Sequence, residues 1–204
     1  VMAGGHSLIP MMKLRMAHVP HLIDLQDVGG MSDIFVGAES IKIGAMVTQH
    51  DIVADAALTA AAPILREAAL QIADPQVRYM GTVGGNIANG DPANDMPGLM
   101  QCLDATFNVF GAEGTRNIAA RDFYEAAYVT AREDDEVLTH VTIPLPSGGF
   151  AYEKQKRKIG DYATAAAAVQ ITKEGGRCTS ASIAMTNLSD TPVFLSLIHI
   201  SEPT

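Results

Sequence analysis

Apolar and polar residues first alternate cleanly at 40–45, where Ile41, Ile43 and Ala45 are separated by Ser40, Lys42 and Gly44. A period of two places the apolar set on one face and predicts a half-buried strand. The pattern becomes helical at 63–73: Ile64, Leu65, Ala68, Ala69 and Ile72 share one face, with Arg66, Glu67 and Gln71 opposite. Pro63 falls in the first turn, where its missing N–H costs nothing. Residues 48–56 read as another helix, and Ser7 is placed to cap one over 7–16, with Pro10 in its first turn. Asp95 is likewise placed to cap a helix through Leu103. Strands are expected at 21–25, at 137–143 before Pro144 and Pro146, at 152–158, and around Ile183 and Met185. Residues 107–118 read as a hairpin about Gly111-Ala112-Glu113-Gly114. The expected class is α+β, with short helices among mostly antiparallel strands.

Two glycine-rich stretches interrupt these periodic segments. Ala3-Gly4-Gly5-His6-Ser7 stands almost at the start, and Met80 to Pro97 carries Gly81, Gly84, Gly85 and Gly90 among Asn, Asp and Thr. Glycine lets backbone N–H groups turn outward and approach a ligand, and successive N–H groups form a concavity that suits phosphate oxygens without a lysine. Each stretch by itself reads more readily as a tight turn. Together they suggest two loops on one ligand, such as a pyrophosphate.

Composition narrows the partners. The net charge of −9 argues against a nucleic-acid ligand, and 48% hydrophobic with 18% charged residues is ordinary for a globular chain. No apolar run approaches the roughly 20 residues of a membrane span. Cys102 and Cys178 are too few for a disulfide framework or an iron–sulfur cluster, which points to a reducing compartment, the cytoplasm or the cytoplasmic face of a membrane.

The usual nicotinamide, P-loop and nucleophile-elbow motifs do not occur. The histidines show no metal-ligand spacing, and His18 and His21 read as surface residues. Asp91 and Asp95 read as turn and cap residues, Asp134 and Asp135 as a solvated loop. Lys154, Lys156, Arg157 and Lys158 form a basic cluster, either a solvated strand edge or a contact for a cofactor phosphate or acidic partner. Residues 195–204 do not continue the preceding pattern and read as a non-native tail, so His199 is set aside.

Ala3-Gly4-Gly5-His6-Ser7-Leu8-Ile9-Pro10, then Thr82-Val83-Gly84-Gly85-Asn86, then Asp91-Pro92 with Asp95, resembles the flavin subunits of the molybdenum hydroxylases. More narrowly the chain resembles the medium chains of aerobic carbon monoxide dehydrogenases. Met11 to Arg15 and Lys156 to Ala163 add to the match, which runs from Val1 to about Pro192. The resemblance implies FAD bound in a fold of the vanillyl-alcohol oxidase (PCMH) type. It implies two α/β subdomains over 1–146, the start of a C-terminal α+β domain over 147–194, and the tail 195–204. It places Ala3, Gly4, Gly5, His6, Ser7, Thr82, Val83, Gly84, Gly85 and Asn86 at the phosphates and ribityl chain, Asp95 at the adenosine side, and Ile72 facing the cofactor. Leu138 and Lys154 match further contacts, and Tyr162 would lie beside the isoalloxazine ring.

The implied role is electron transfer, with no catalytic acid, base or metal ligand on this chain. Electrons pass from two-iron two-sulfur clusters through FAD to an external acceptor such as a quinone. Molybdopterin and the clusters belong to a large and a small partner subunit, in a dimer of heterotrimers. Family members carry a strand and helix before the first loop and a helical end, so the resemblance also implies a chain shortened at both ends that holds FAD weakly by itself. The alternatives are a flavin subunit of a xanthine, aldehyde or nicotinate dehydrogenase, a stand-alone flavin oxidase of this fold, and a nucleotide-binding module with no redox role.

Overall fold

A computed structural model describes residues 1–196 of the chain. The first half alternates short helices and strands: α1 Leu8–Lys13, β1 Ile34–Val36, β2 Ser40–Gly44, α2 Gln49–Ala54, α3 Ala56–Ala61, α4 Pro63–Gln71, α5 Pro75–Met80, α6 Val83–Ala88 and α7 Asp95–Cys102. Strands then dominate: β3 Thr106–Gly111, β4 Gly114–Ala119, β5 Tyr124–Ala126, β6 Val129–Thr130, β7 Val137–Pro144, β8 Gly149–Gln155, β9 Ala165–Glu174, β10 Arg177–Thr186 and β11 Val193–Ser196. They build a five-stranded sheet in the order β1-β2-β7-β3-β4, a four-stranded sheet β11-β10-β9-β8 and a β5-β6 pair, all antiparallel. The α+β class and its antiparallel sheets are therefore as the sequence indicates.

Register explains why the first sheet is specified. Ile34 pairs with Ile43, Ile43 with Val141, Val141 with Phe107 and Phe107 with Ile118, so one apolar row crosses all five strands on a single face. A one-residue slip would turn that row toward solvent. Phe123 caps the row edge-to-face on Phe107, with ring centroids 4.8 Å apart. The second sheet is reached through Leu145 to Gly148, and α7 lies against β9 and β10 with every residue buried. Gly98 permits that contact, because a Cβ there would meet Thr186 Oγ1.

Several expected elements differ. The helix over 7–16 is only Leu8–Lys13, and Ser7 makes no side-chain cap. The strand at 21–25 does not form; residues 21–24 are exposed, Leu25 is buried, and the segment makes only an isolated parallel bridge, Met2 to Asp24, because a lone chain segment offers no ladder. The helix over 48–56 breaks at Asp55, which caps α3 by accepting from Leu58 N at 2.7 Å. Much of the stretch from Asp74 to Pro97 is helix rather than loop, since Asp74 accepts from Val77 N and Thr82 from Gly85 N. Asp95 does not cap α7; Asn94 holds the cap position and Asp95 is the first helical residue. The basic strand at 152–158 lies at Gly149–Gln155, which leaves Lys156 to Lys158 beyond its end. Leu195 pairs with Ile183 and Ser196 with Ser182 in β11, so the stretch 195–204 begins inside a sheet; residues 197–204, with His199, lie outside the described residues.

A capping box starts α2: Thr48 Oγ1 accepts from Asp51 N at 3.1 Å while Asp51 Oδ2 accepts from Thr48 N at 3.0 Å. Thr48→Ala is expected to cost about 1 kcal/mol in chemical denaturation.

Candidate functional site

The first glycine segment is anchored at one end and open along its length. Met2 N donates to Ile23 O at 2.7 Å and Leu25 N to Met2 O at 3.0 Å, which ties the segment to the chain after α1. The N–H groups of Ala3, Gly4, Gly5, His6 and Ser7 have no acceptor among the described residues. Gly5 has φ +72°, the kind of left-handed step from which N–H concavities are built, just before α1 begins. Gly4 sits so close to the second segment that a Cβ would lie 1.9 Å from Met80 O.

The second segment works differently from expectation. Its N–H groups are not offered to a ligand: Val83 N donates to Val47 O and Gly84 N to Ala45 O, each at 2.8 Å, and Gly85 N donates to Thr82 Oγ1 at 3.0 Å. Within 82–86 the Thr82 N–H alone has no acceptor among the described residues. Gly84 is required by packing, since a Cβ would lie 2.5 Å from Ala45 Cβ and 2.7 Å from Ala45 O. Gly85 brings the first turn of α6 against the first segment, where its Cβ would stand 3.7 Å from Ala3 Cβ. The open N–H groups therefore lie on the first segment, and the second is the small-residue wall packed against it. Asn86 fastens that wall to α7: its Oδ1 accepts from Met96 N at 3.2 Å and its backbone O from Asn94 Nδ2 at 2.9 Å.

Between the two segments lies a cavity of about 490 Å³, within the range of small-molecule sites. Ala3, Gly4, Gly5, His6, Ser7, Ile72, Thr82, Gly84, Gly85, Asn86, Leu138, Lys154 and Tyr162 all border it. Ile72 and Leu138 are buried wall residues, whereas Tyr162 is 59% exposed at the mouth. Two of the residues singled out from sequence do not border it. Val83 points into the core, and Asp95 lies beneath the wall. Sequence reading missed Gln49, Arg132 and Glu136, which also border the cavity; none belongs to a motif or periodic pattern that marks it.

Lys154 is neither a solvated edge residue nor a free cation. Its side chain is 1% exposed, and its ammonium donates to Asp95 Oδ2 at 2.8 Å and to Gln71 O at 3.2 Å. Tyr152 Oη donates to the other oxygen of Asp95. Burial raises the Asp95 carboxyl above its ordinary value, more than the adjacent ammonium lowers it. The unit joins α7, α4 and β8 and holds Lys154 at the cavity wall. At the far side, Arg116 forks onto Glu136, which fixes the start of β7. Asp91 has the expected turn role, its Oδ1 accepting from Ala93 N at 2.9 Å. Among the described residues no group of three or more His, Cys, Asp or Glu could hold a metal ion.

An open N–H cradle, a second segment packed against it without side chains, and buried apolar walls fit a diphosphate joined to a flat apolar group, as in FAD. Comparison with known proteins agrees. Residues 1–146 match the FAD binding domain in molybdopterin dehydrogenase, and residues 150–198 match the CO dehydrogenase flavoprotein C-terminal domain. The chain is 57% identical over 195 residues to the carbon monoxide dehydrogenase medium chain of Afipia carboxidovorans, covering 95% of this chain and 68% of that one. It is 34% identical to the glyceraldehyde dehydrogenase medium chain of Sulfolobus acidocaldarius, covering 94% of this chain and 68% of that one. Its fold superposes on a reconstituted CO dehydrogenase from Oligotropha carboxidovorans with TM-score 0.92 and 58% identity, over 94% of this chain and 68% of the other. Both relatives are medium chains, a term that belongs to enzymes of several subunits. The chain belongs to the FAD-binding family of the molybdopterin dehydrogenases, as an oxidoreductase subunit whose cofactor is FAD.

Proposed function

We propose that this chain is the flavin subunit of an aerobic carbon monoxide dehydrogenase, passing electrons from a partner's iron–sulfur clusters to an external acceptor. The observation that carries this reading is the 57% identity to a carbon monoxide dehydrogenase medium chain, against 34% to one named for glyceraldehyde. Bound FAD would supply redox chemistry in one- and two-electron steps. The chain's own residues bind and orient. The N–H groups of Ala3 to Ser7 receive the diphosphate, while Thr82, Gly84, Gly85 and Asn86 form the close wall behind it. Ile72 and Leu138 exclude water, Lys154 faces the cofactor from its buried pair, and Tyr162 stands at the mouth beside the ring. Val83 and Asp95 act from behind this layer, in packing and in holding Lys154. No side chain serves as catalytic acid, base or nucleophile.

The partners are a molybdenum-binding large subunit and an iron–sulfur small subunit, doubled as a dimer of heterotrimers. Residues 1–146 form the FAD-binding unit and 147–194 the start of a C-terminal one. No helix among the described residues is long and apolar enough to cross a membrane, and the proposed compartment is the cytoplasm, including the inner face of its membrane.

The assembled enzyme, purified anaerobically, is expected to show a visible flavin band that bleaches on addition of CO. Bleaching by an aldehyde or by nicotinate and not by CO would reassign the substrate. A full chain that purifies and reconstitutes without any flavin band would overturn the cofactor reading itself.

A further inference from the structure

Gln49 opens α2 in the wall of the cavity and is 1% exposed. Neither its Nε2 nor its Oε1 has a hydrogen-bond partner among the described residues. Other buried polar side chains are satisfied: Asn94 donates to Asn86 O, Gln101 to Ala120 O, and Asp95 is paired. Tyr124 Oη is also unpartnered, but it does not border the cavity. A buried amide left unpaired is costly, and native chains leave few of them without a reason.

The position of Gln49 supplies the reason. Its backbone N donates to Gly81 O at 2.9 Å, and Gly4 packs on Met80 O and Gly81, so Gln49 stands where the two glycine segments cross. Of the two cations bordering the cavity, Lys154 is paired with Asp95, and Arg132 is engaged through Nη1 by the carbonyls of Glu133 and Glu136. At the crossing itself the groups at hand are neutral: the N–H groups of the first segment and the Gln49 amide.

We propose that Gln49 is a cofactor-binding residue, its Nε2 donating to a diphosphate oxygen of FAD and its Oε1 accepting from a ribityl hydroxyl. This rests on the flavin reading above. A carboxamide offers one donor and one acceptor side by side, which matches a phosphate ester flanked by a hydroxyl. Both amide atoms are sealed from solvent, so the side chain has to turn about its χ angles to meet the bound group.

The test uses the full chain, stripped of flavin, with FAD titrated by quenching of its fluorescence. Gln49→Met keeps the volume and removes both polar atoms. It is expected to leave the denaturation midpoint of the flavin-free protein unchanged or higher, while FAD binds about tenfold more weakly. Gln49→Glu is expected to bind more weakly still at neutral pH, because a carboxylate would face the diphosphate. ADP and riboflavin, titrated separately, should each lose part of the effect. Gln49→Met binding FAD as the wild type does, whatever its midpoint, would overturn the proposal alone. Wild-type protein that fails to bind FAD would overturn this proposal together with the flavin reading.

Discussion

Lys154→Met is expected to destabilise the chain by about 3–5 kcal/mol, the largest effect of any single substitution considered, because it strands the Asp95 carboxylate inside the protein. Both side chains are sealed, at 1% and 6% exposure, so water cannot replace the lost ammonium. The pair itself need not be stabilising, since removing two charges from water offsets much of their attraction. Hence Lys154→Met combined with Asp95→Leu and Tyr152→Phe should recover most of the loss, as no polar group is then left unpaired. Urea denaturation of the flavin-free single and triple variants checks this. Equal destabilisation of both would show that packing, rather than the stranded carboxylate, sets the cost.

Gly4→Ala and Gly84→Ala should separate the two roles of glycine at the cavity. A methyl at Gly4 would lie 1.9 Å from Met80 O, so the first segment must lift away from the second. That segment is only partly buried, and little stability should be lost. The N–H groups of Ala3 to Ser7 would be displaced from the cavity, and losing two charge-assisted hydrogen bonds weakens FAD binding on the order of a hundredfold. A methyl at Gly84 meets the Ala45 backbone in the core instead, an overpacking that costs about 1–3 kcal/mol. Its N–H already donates to Ala45 O, so whatever FAD affinity it loses should follow the loss of fold. Flavin titration alongside denaturation reads both quantities. A Gly84→Ala protein of wild-type stability that has lost FAD would return Gly84 to the cradle.

The contrast between these glycines shows what local sequence conveys. Gly-Gly after an apolar residue looks the same at Gly4-Gly5 and at Gly84-Gly85. In the first, a left-handed Gly5 leaves the N–H groups open; in the second, Thr82 caps a helix and the turn after β2 takes the N–H groups. Whether an N–H is free depends on acceptors supplied by Ala45 and Val47, about forty residues earlier in the chain, and no local pattern carries that information.

The same division runs through the molecule. Period-two alternation at β2, helical spacing in α4, the hairpin of β3 and β4 and the proline stop after β7 were all determined by the sequence, because each depends on neighbours within a few residues. The paired glycine segments, by their order and flanking residues, were enough to identify the family and its cofactor. Only the tertiary structure decided that the segment at 21–25 has no partner strand, that Asp95 leaves the cap to pair with Lys154, and that Gln49 sits unpaired in the cavity wall. Each of these is settled by a residue tens of positions away. Burial and satisfaction of polar groups belong to the packed chain, whereas periodicity and turn chemistry belong to the local one.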